Sequence, residues 1–219
     1  MRSLWLGVLV CAAMLVACGD DSSSNSVETV GCRTETEDSC EYGELMDERD
    51  GQTYRTVKIG DQVWTAQNLN YETENSWCGG GSETTEGDCS VYDRIYTWEV
   101  SKSVCPTGWH LPDITEWKTL FTAVGGELAA GQVLKSTSGW HYSKGTDAFG
   151  FSALPAACRN FEVRWGDCRN DGDNAYFWSS TEDGSNRAYL IDLYYNNGDY
   201  ARIERDYKSY AFSVRCVKD

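Results

Sequence analysis

Eight cysteines, at positions 32, 40, 78, 89, 105, 158, 168 and 216, limit what this chain can fold into more than any other feature. An even set in an exported chain reads as four disulfides. Eight cysteines allow many connectivities, so spacing supplies only a preferred one. Cys32–Cys40, Cys78–Cys89 and Cys158–Cys168 would each close a short loop, leaving Cys105–Cys216 to join the middle of the chain to its end. In the chain-entropy description that long loop stabilises most, roughly 4–5 kcal/mol against about 3 kcal/mol for a short one. The rival reading of the cysteines is a zinc site. No C-x-x-C occurs, and His110 and His141 do not stand at ligand spacing from any cysteine, so a metal is disfavoured.

The disulfide reading needs an oxidising compartment, and the N-terminus provides one. Met1-Arg2 and an apolar run from Leu4 to Ala17 have the form of a signal peptide. The run is 14 residues long, short of the roughly 20 that a membrane-crossing helix needs. Leu15-Val16-Ala17-Cys18 resembles a lipobox, at which a peptidase cuts before a cysteine already carrying diacylglycerol. Its chemistry requires the Cys18 thiol and small residues just upstream. Diacylglycerol plus an N-acyl chain, palmitate among the chains expected, anchors stably where one chain does not. The residue after Cys18 is Gly19 and not an acidic one, which fits an outer membrane or the cell surface over inner-membrane retention. The expected divisions are a signal peptide at 1–17, a lipidated cysteine and acidic flexible tether with a small disulfide loop at 18–45, and a folded domain at 46–219.

Removal of residues 1–17 takes Arg2 with it and moves the net charge from −15 to about −16. So acidic a surface disfavours nucleic acid and anionic lipid head groups, leaving neutral ligands or cations. Nine tryptophans and thirteen tyrosines suit both a small aromatic core and a sugar-stacking surface, and composition does not separate the two.

Several elements are legible. Tyr54–Ile59 alternates as a strand, Gly60-Asp61 turns, and Gln62-Val63-Trp64 returns as its partner. A helix is expected near Arg94–Ser103, with Ile95 and Trp98 on one face. A second starts at Asp113, with Glu116 in capping-box position and Pro112 just outside. Ile114, Trp117, Leu120, Phe121 and Val124 form its apolar stripe, and Gly125-Gly126 ends it. A short helical turn near Ala129–Leu134 follows. Tyr176–Ser180, Arg187–Tyr194, Tyr200–Glu204 and Tyr210–Val217 read as strands, with Asn196-Asn197-Gly198-Asp199 a hairpin turn. Central helices between terminal strands imply α+β, with the two ends of the domain paired in one sheet.

Asp50–Gly60 with Gln62–Asn70, Tyr96-Thr97-Trp98, Cys105–Pro112 with Glu116-Trp117, Phe177–Thr181 and Ser213–Asp219 resemble, in order, the Fibrobacter succinogenes major paralogous domain. The resemblance covers about residues 46–219. It implies a lipoprotein or secreted surface protein. The same landmarks are similar to the sulfatase-modifying-factor, formylglycine-generating branch of the C-type-lectin-like fold. This similarity implies that fold: mixed or antiparallel sheet, two main helices, long loops and disulfides. Fold does not carry activity. The oxidase chemistry of that branch needs a reactive cysteine pair near the C-terminus, whereas Cys216 lies in the final strand with an expected structural partner, so catalysis is not carried over. The calcium motifs of lectins are absent.

Each candidate site has a plainer reading beside it. His110, before a helix-entry Leu-Pro, is expected to be structural and bonded to backbone. Asp171-Gly172-Asp173-Asn174 places oxygen ligands at alternate positions and resembles the start of a calcium loop. No glutamate completes it, so a solvated acidic turn is favoured, with Ca2+ the one cofactor raised. Trp140, Tyr142, Trp165, Tyr194 and Tyr195 are the candidates for an exposed sugar-stacking groove, against burial in the core. The leading expectation is a non-enzymatic surface binding module, anchored to a membrane by lipid, for polysaccharide or a surface protein. An enzyme related to formylglycine-generating oxidases or carbohydrate-active hydrolases is the alternative, and a structural envelope protein the third.

Overall fold

The computed structural model describes residues 29–81, 87–160, 174–194 and 200–219. In chain order the strands and helices run β1 (Tyr42–Met46), β2 (Thr53–Ile59), β3 (Gln62–Thr65), β4 (Ser76–Cys78), α1 (Cys89–Tyr92), β5 (Arg94–Thr97) and α2 (Trp98–Val104). They continue with β6 (Trp109–His110), α3 (Ile114–Ala123), α4 (Glu127–Leu134), β7 (Ala175–Asp183), β8 (Arg187–Leu193), β9 (Ala201–Tyr207), β10 (Ala211–Ser213) and β11 (Val217–Lys218). The result is a mixed α+β fold with two sheets. One, β1-β2-β3-β11-β6, is antiparallel throughout and joins the N-terminal hairpin to the end of the chain. The other, β4-β5-β10-β7-β8-β9, is mixed, because β10 runs parallel to β7.

The 46 boundary moves. Residues 31–45 belong to the folded body: β1 pairs with β2 along five residues. The Cys32–Cys40 loop is fixed by the Arg33 amide, which donates to the Ala148 carbonyl at 3.0 Å, and by an ion pair between Arg33 and Asp147. Backbone hydrogen bonds, a charge pair and the packing of Cys40, Tyr42 and Leu45 against the two core clusters hold this segment.

The helix expected near Arg94–Ser103 is half strand. Arg94–Thr97 is β5, an interior strand paired with β4 and β10, and only from Trp98 does the chain wind into α2. Ile95 and Tyr96 are both buried, as an interior strand with both faces covered requires. Helix α3 carries the full capping box: the Glu116 amide donates to Asp113 Oδ1 and the Asp113 amide to Glu116 Oε2, each at 2.8 Å. Its buried face sets Trp117, Leu120 and Phe121 on the core. Among the described residues no helix is long and apolar enough to cross a membrane.

Tryptophan use follows from packing. Trp64 and Trp117 lie 4.8 Å apart between ring centroids, and Phe151 and Phe177 pack against Trp117 at 6.2 and 5.8 Å. This cluster fills the space between α3, α4, the β2–β3 hairpin and one face of β7–β8. The opposite face of β7–β8 carries Trp178, Ala188 and Leu190 in a second cluster with Tyr96, Trp98 and Phe212.

The strand expected from Tyr210 to Val217 is interrupted. β10 ends at Ser213 in the six-stranded sheet, and β11 starts at Val217 in the five-stranded one, so Val214-Arg215-Cys216 is the crossing between sheets. Arg215 is fully buried there. Its Nε donates to Asn68 Oδ1 (2.8 Å), Nη1 to the carbonyls of Thr65 (2.9 Å) and Phe151 (2.6 Å), and Nη2 to that of Ser152 (3.0 Å). Burial pushes its pKa down, opposed at longer range by Asp93 and Asp147. Cys216, next in sequence, is bonded to Cys105 at the C-terminal cap of α2.

Candidate functional site

Three adjacent strands position the site. The register pairs Tyr176 with Asp192 and Asp192 with Arg202 across β7, β8 and β9. Side chains alternate along a strand, so Asn174 and Tyr176, Asp192 and Tyr194, and Tyr200 and Arg202 share one face at this end of the sheet. Arg202 packs its guanidinium 4.6 Å from the Tyr194 ring and 5.1 Å from the Tyr200 ring, and donates to the Tyr200 hydroxyl at 2.6 Å. Thus turned to the tyrosines, it makes no hydrogen bond to Asp192.

Asp192 is 6 % exposed, and its Oδ1 has no hydrogen-bond partner among the described residues. Burial raises its pKa to about 7, with Glu204 adding to the rise and Arg202 and Lys135 opposing it. Asn174 is 1 % exposed, and neither its Oδ1 nor its Nδ2 has a hydrogen-bond partner among the described residues. Lys135, itself buried, donates to the Tyr194 carbonyl at 2.5 Å and stands 4.6 Å over the Trp140 ring.

The expected aromatic groove is only partly assembled. Trp140 is a correction: it is 9 % exposed, belongs to the core cluster and donates from Nε1 to Ser136 Oγ at 3.1 Å. Its indole face is taken by Lys135, so packing and not ligand stacking uses it. Tyr142 is exposed and Tyr194 half-buried. Trp165, Tyr195, Asp171 and Asp173 lie outside the described residues. Among the described residues no group of three or more His, Cys, Asp or Glu side chains is arranged to hold a metal. Asp192 and Arg202 were missed in sequence, although a signal existed. Ala188, Leu190 and Asp192 occupy successive positions on the same face of β8, so the carboxylate stands in an inward register.

A groove of about 440 Å³ lies elsewhere, along β1 and β2, lined by Tyr42, Glu44, Arg55 and Gln67 among others. In it Arg55 packs 4.9 Å from the Tyr42 ring, and the Arg55 amide donates to Gln67 Oε1 at 2.6 Å.

His110 departs from the expected backbone bond. Its Nδ1 lies 2.6 Å from Asp219 Oδ1 and its Nε2 2.8 Å from Glu116 Oε1. Two acceptors facing both nitrogens favour the doubly protonated ring. Partial burial pushes the pKa down, but the bonds to Asp219 and Glu116 outweigh it and leave it above the ordinary 6.5. A folded value above the unfolded one contributes stability below pH 6.5 that is lost as pH rises through the folded value. Solvent screening keeps the effect below about 1 kcal/mol. His110→Gln is expected to flatten the decline in melting temperature between about pH 6 and pH 9. An equally steep decline in the variant would remove His110 as its source.

Residues 57–218 match the family model described as the Fibrobacter succinogenes major domain. No curated protein and no solved structure matches the chain.

Proposed function

The chain belongs to the Fibrobacter succinogenes major domain family, and on that premise we propose that it is a lipid-anchored, extracytoplasmic binding module for carbohydrate, built on a C-type-lectin-like plan. The observation that carries the reading is the face at the end of β7–β9, where Tyr194, Arg202 and Tyr200 are layered beside Asp192 and Asn174, whose buried polar atoms include three with no partner among the described residues. Sugars combine apolar C–H faces with hydroxyls, and sites for them pair aromatic surface with a few placed polar groups. The lectin-like plan is supported by the pairing of the two ends of the domain in one sheet, with the second sheet beside it. A binding role is favoured over cysteine redox chemistry because Cys216 is fully buried and tied to Cys105.

The test is a screen of neutral oligosaccharides on an array, with and without Ca2+. Binding to at least one neutral glycan is expected, and no binding in either condition overturns the reading. Anchoring is tested separately. Radiolabelled palmitate is expected to mark the wild-type chain and partition it with membranes, while Cys18→Ser abolishes both. A wild-type chain that takes up no label would refute the anchor.

A further inference from the structure

We propose that the five-stranded sheet carries a separate subsite for a sugar ring bearing a carboxylate, a hexuronate, with Trp109 stacked on the ring and Lys218 and Lys58 holding the acid group. It lies on the other sheet from the β7–β9 face, so either can fail without the other.

The register builds the subsite as one row across the sheet. The Lys58 amide donates to the Glu41 carbonyl at 3.0 Å, and Lys58 is the register partner of Val63. Trp64 pairs with Val217, which sets Val63 beside Lys218, and Lys218 pairs with Trp109. Register partners point to the same face, so these five side chains share one. An open groove of about 230 Å³ lies along them. Gly43 and Thr56, paired in the next row, floor it on the β1 side. A Cβ at Gly43 would stand 2.9 Å from Thr56 Oγ1, so glycine there leaves the hydroxyl uncovered from that side.

Trp109 differs from the other described tryptophans in having an open ring. Trp64 and Trp117 pack on each other and Trp178 on Phe212, while cations stand over Trp77, Trp98 and Trp140. Trp109 is half-buried against one core cluster, and among the described residues no ring or cation covers it. Charge then selects the ligand. Lys218 is exposed and makes no ion pair among the described residues, whereas Lys58 pairs loosely with Glu41 at 3.7 Å. Val63, between the two lysines, is short, so both ammonium groups can reach one carboxylate above it. Asp219 is turned to His110 on the opposite face, and alternation along β1 turns Glu44 there too. The remaining negative charge of the chain is screened beyond about 8 Å at physiological salt. A neutral sugar would leave Lys218 unanswered, and a peptide carboxylate would leave the Trp109 ring unused.

The experiment titrates the full chain with homotrimers of galacturonate, glucuronate and mannuronate, near neutral pH and at about 0.15 M salt. Each fully methyl-esterified trimer serves as its uncharged control. At least one acid trimer is expected to bind about 10-fold tighter than its ester, because a charge-assisted hydrogen bond is stronger than a neutral one. Lys218→Ala, at an exposed position, is expected to remove most of that preference and leave binding of the ester unchanged. Trp109→Leu keeps apolar packing against the core and is expected to weaken binding of the acid by about 5-fold. Glu41→Gln frees Lys58 and is expected to strengthen it by about 2-fold. Equal binding of acid and ester, or a full preference that survives Lys218→Ala, overturns the subsite. So does unchanged binding by Trp109→Leu, weaker binding by Glu41→Gln, or a wild type that binds none of the acid trimers. Binding of neutral glycans is expected to be the same in Lys218→Ala as in the wild type, so the β7–β9 reading is judged by its own screen.

Discussion

Arg215→Met is expected to lower the free energy of unfolding by about 4 kcal/mol, a large share of what a domain of this size has. The substitution keeps the volume and the apolar contact with Phe151, whose ring lies 4.5 Å from the guanidinium. What it removes is four hydrogen bonds made from one rigid fork. The carbonyls of Thr65, Phe151 and Ser152 and the Asn68 oxygen would then be left without that donor, and each buried acceptor so stranded costs about 1–3 kcal/mol. Lysine keeps the charge, but one ammonium cannot reach acceptors that a planar guanidinium serves from three nitrogens. Arg215→Lys is therefore expected to recover little. Urea unfolding followed by tryptophan fluorescence, with the disulfides intact, measures both variants. A loss under about 1 kcal/mol for either would show that the acceptors find other partners.

Removing the Cys105–Cys216 crosslink is expected to have the second large effect, roughly 4–5 kcal/mol in the double serine variant. The bridge spans 111 residues, whereas Cys32–Cys40 and Cys78–Cys89 span 8 and 11. In the chain-entropy description the long loop restricts the unfolded chain most, and each short one contributes about 3 kcal/mol or less. The bridge also ties the end of α2 to the crossing between sheets. Cys216 is buried, so mild reductant is expected to open the local bridges before this one. Thiol alkylation mapped by mass spectrometry over a reductant series gives the order. Opening of Cys105–Cys216 first would contradict the expected protection, and equal destabilisation by all three removals would contradict the loop-length argument.

Elements that depend on neighbours in sequence were legible. The α3 cap needs only Asp113 and Glu116 three residues apart, and both bonds form. The β2–β3 hairpin needs only alternation around Gly60-Asp61, and Gly60 takes the positive φ of +60° that such a turn uses. Three of the cysteine pairs suggested by spacing are present among the described residues. Cys158 is disulfide-bonded as well, and Cys168, its expected partner, lies outside them.

Elements that depend on distant partners were not. Ile95 and Trp98 have helical spacing, yet β4 and β10 recruit Arg94–Thr97 into a sheet before α2 begins. Residues 32–45 are ambiguous in sequence, a small disulfide loop grouped with the tether, because their partners, Ala148, Asp147 and β2, are remote in sequence. Trp140 gave no sign of which side of its ring would be used, because the answer is Lys135 beneath it. The candidate site was half visible. Tyr194 stood out as an aromatic, but Asp192, Asn174 and Arg202 acquire meaning only when β7, β8 and β9 lie side by side.

The sequence by itself determined the α+β class, the family, the capped helix, the first hairpin and the cysteine set. Each of these is written in short spacings or in ordered motifs, which need no knowledge of distant contacts. Only the tertiary structure decided where the last strand breaks. A fully buried guanidinium bonded to three remote carbonyls makes Val214-Arg215-Cys216 a crossing between sheets, because those acceptors come from two other segments of the chain. It also decided which polar groups lie buried and unbonded, since burial and bonding are properties of the assembled sheet.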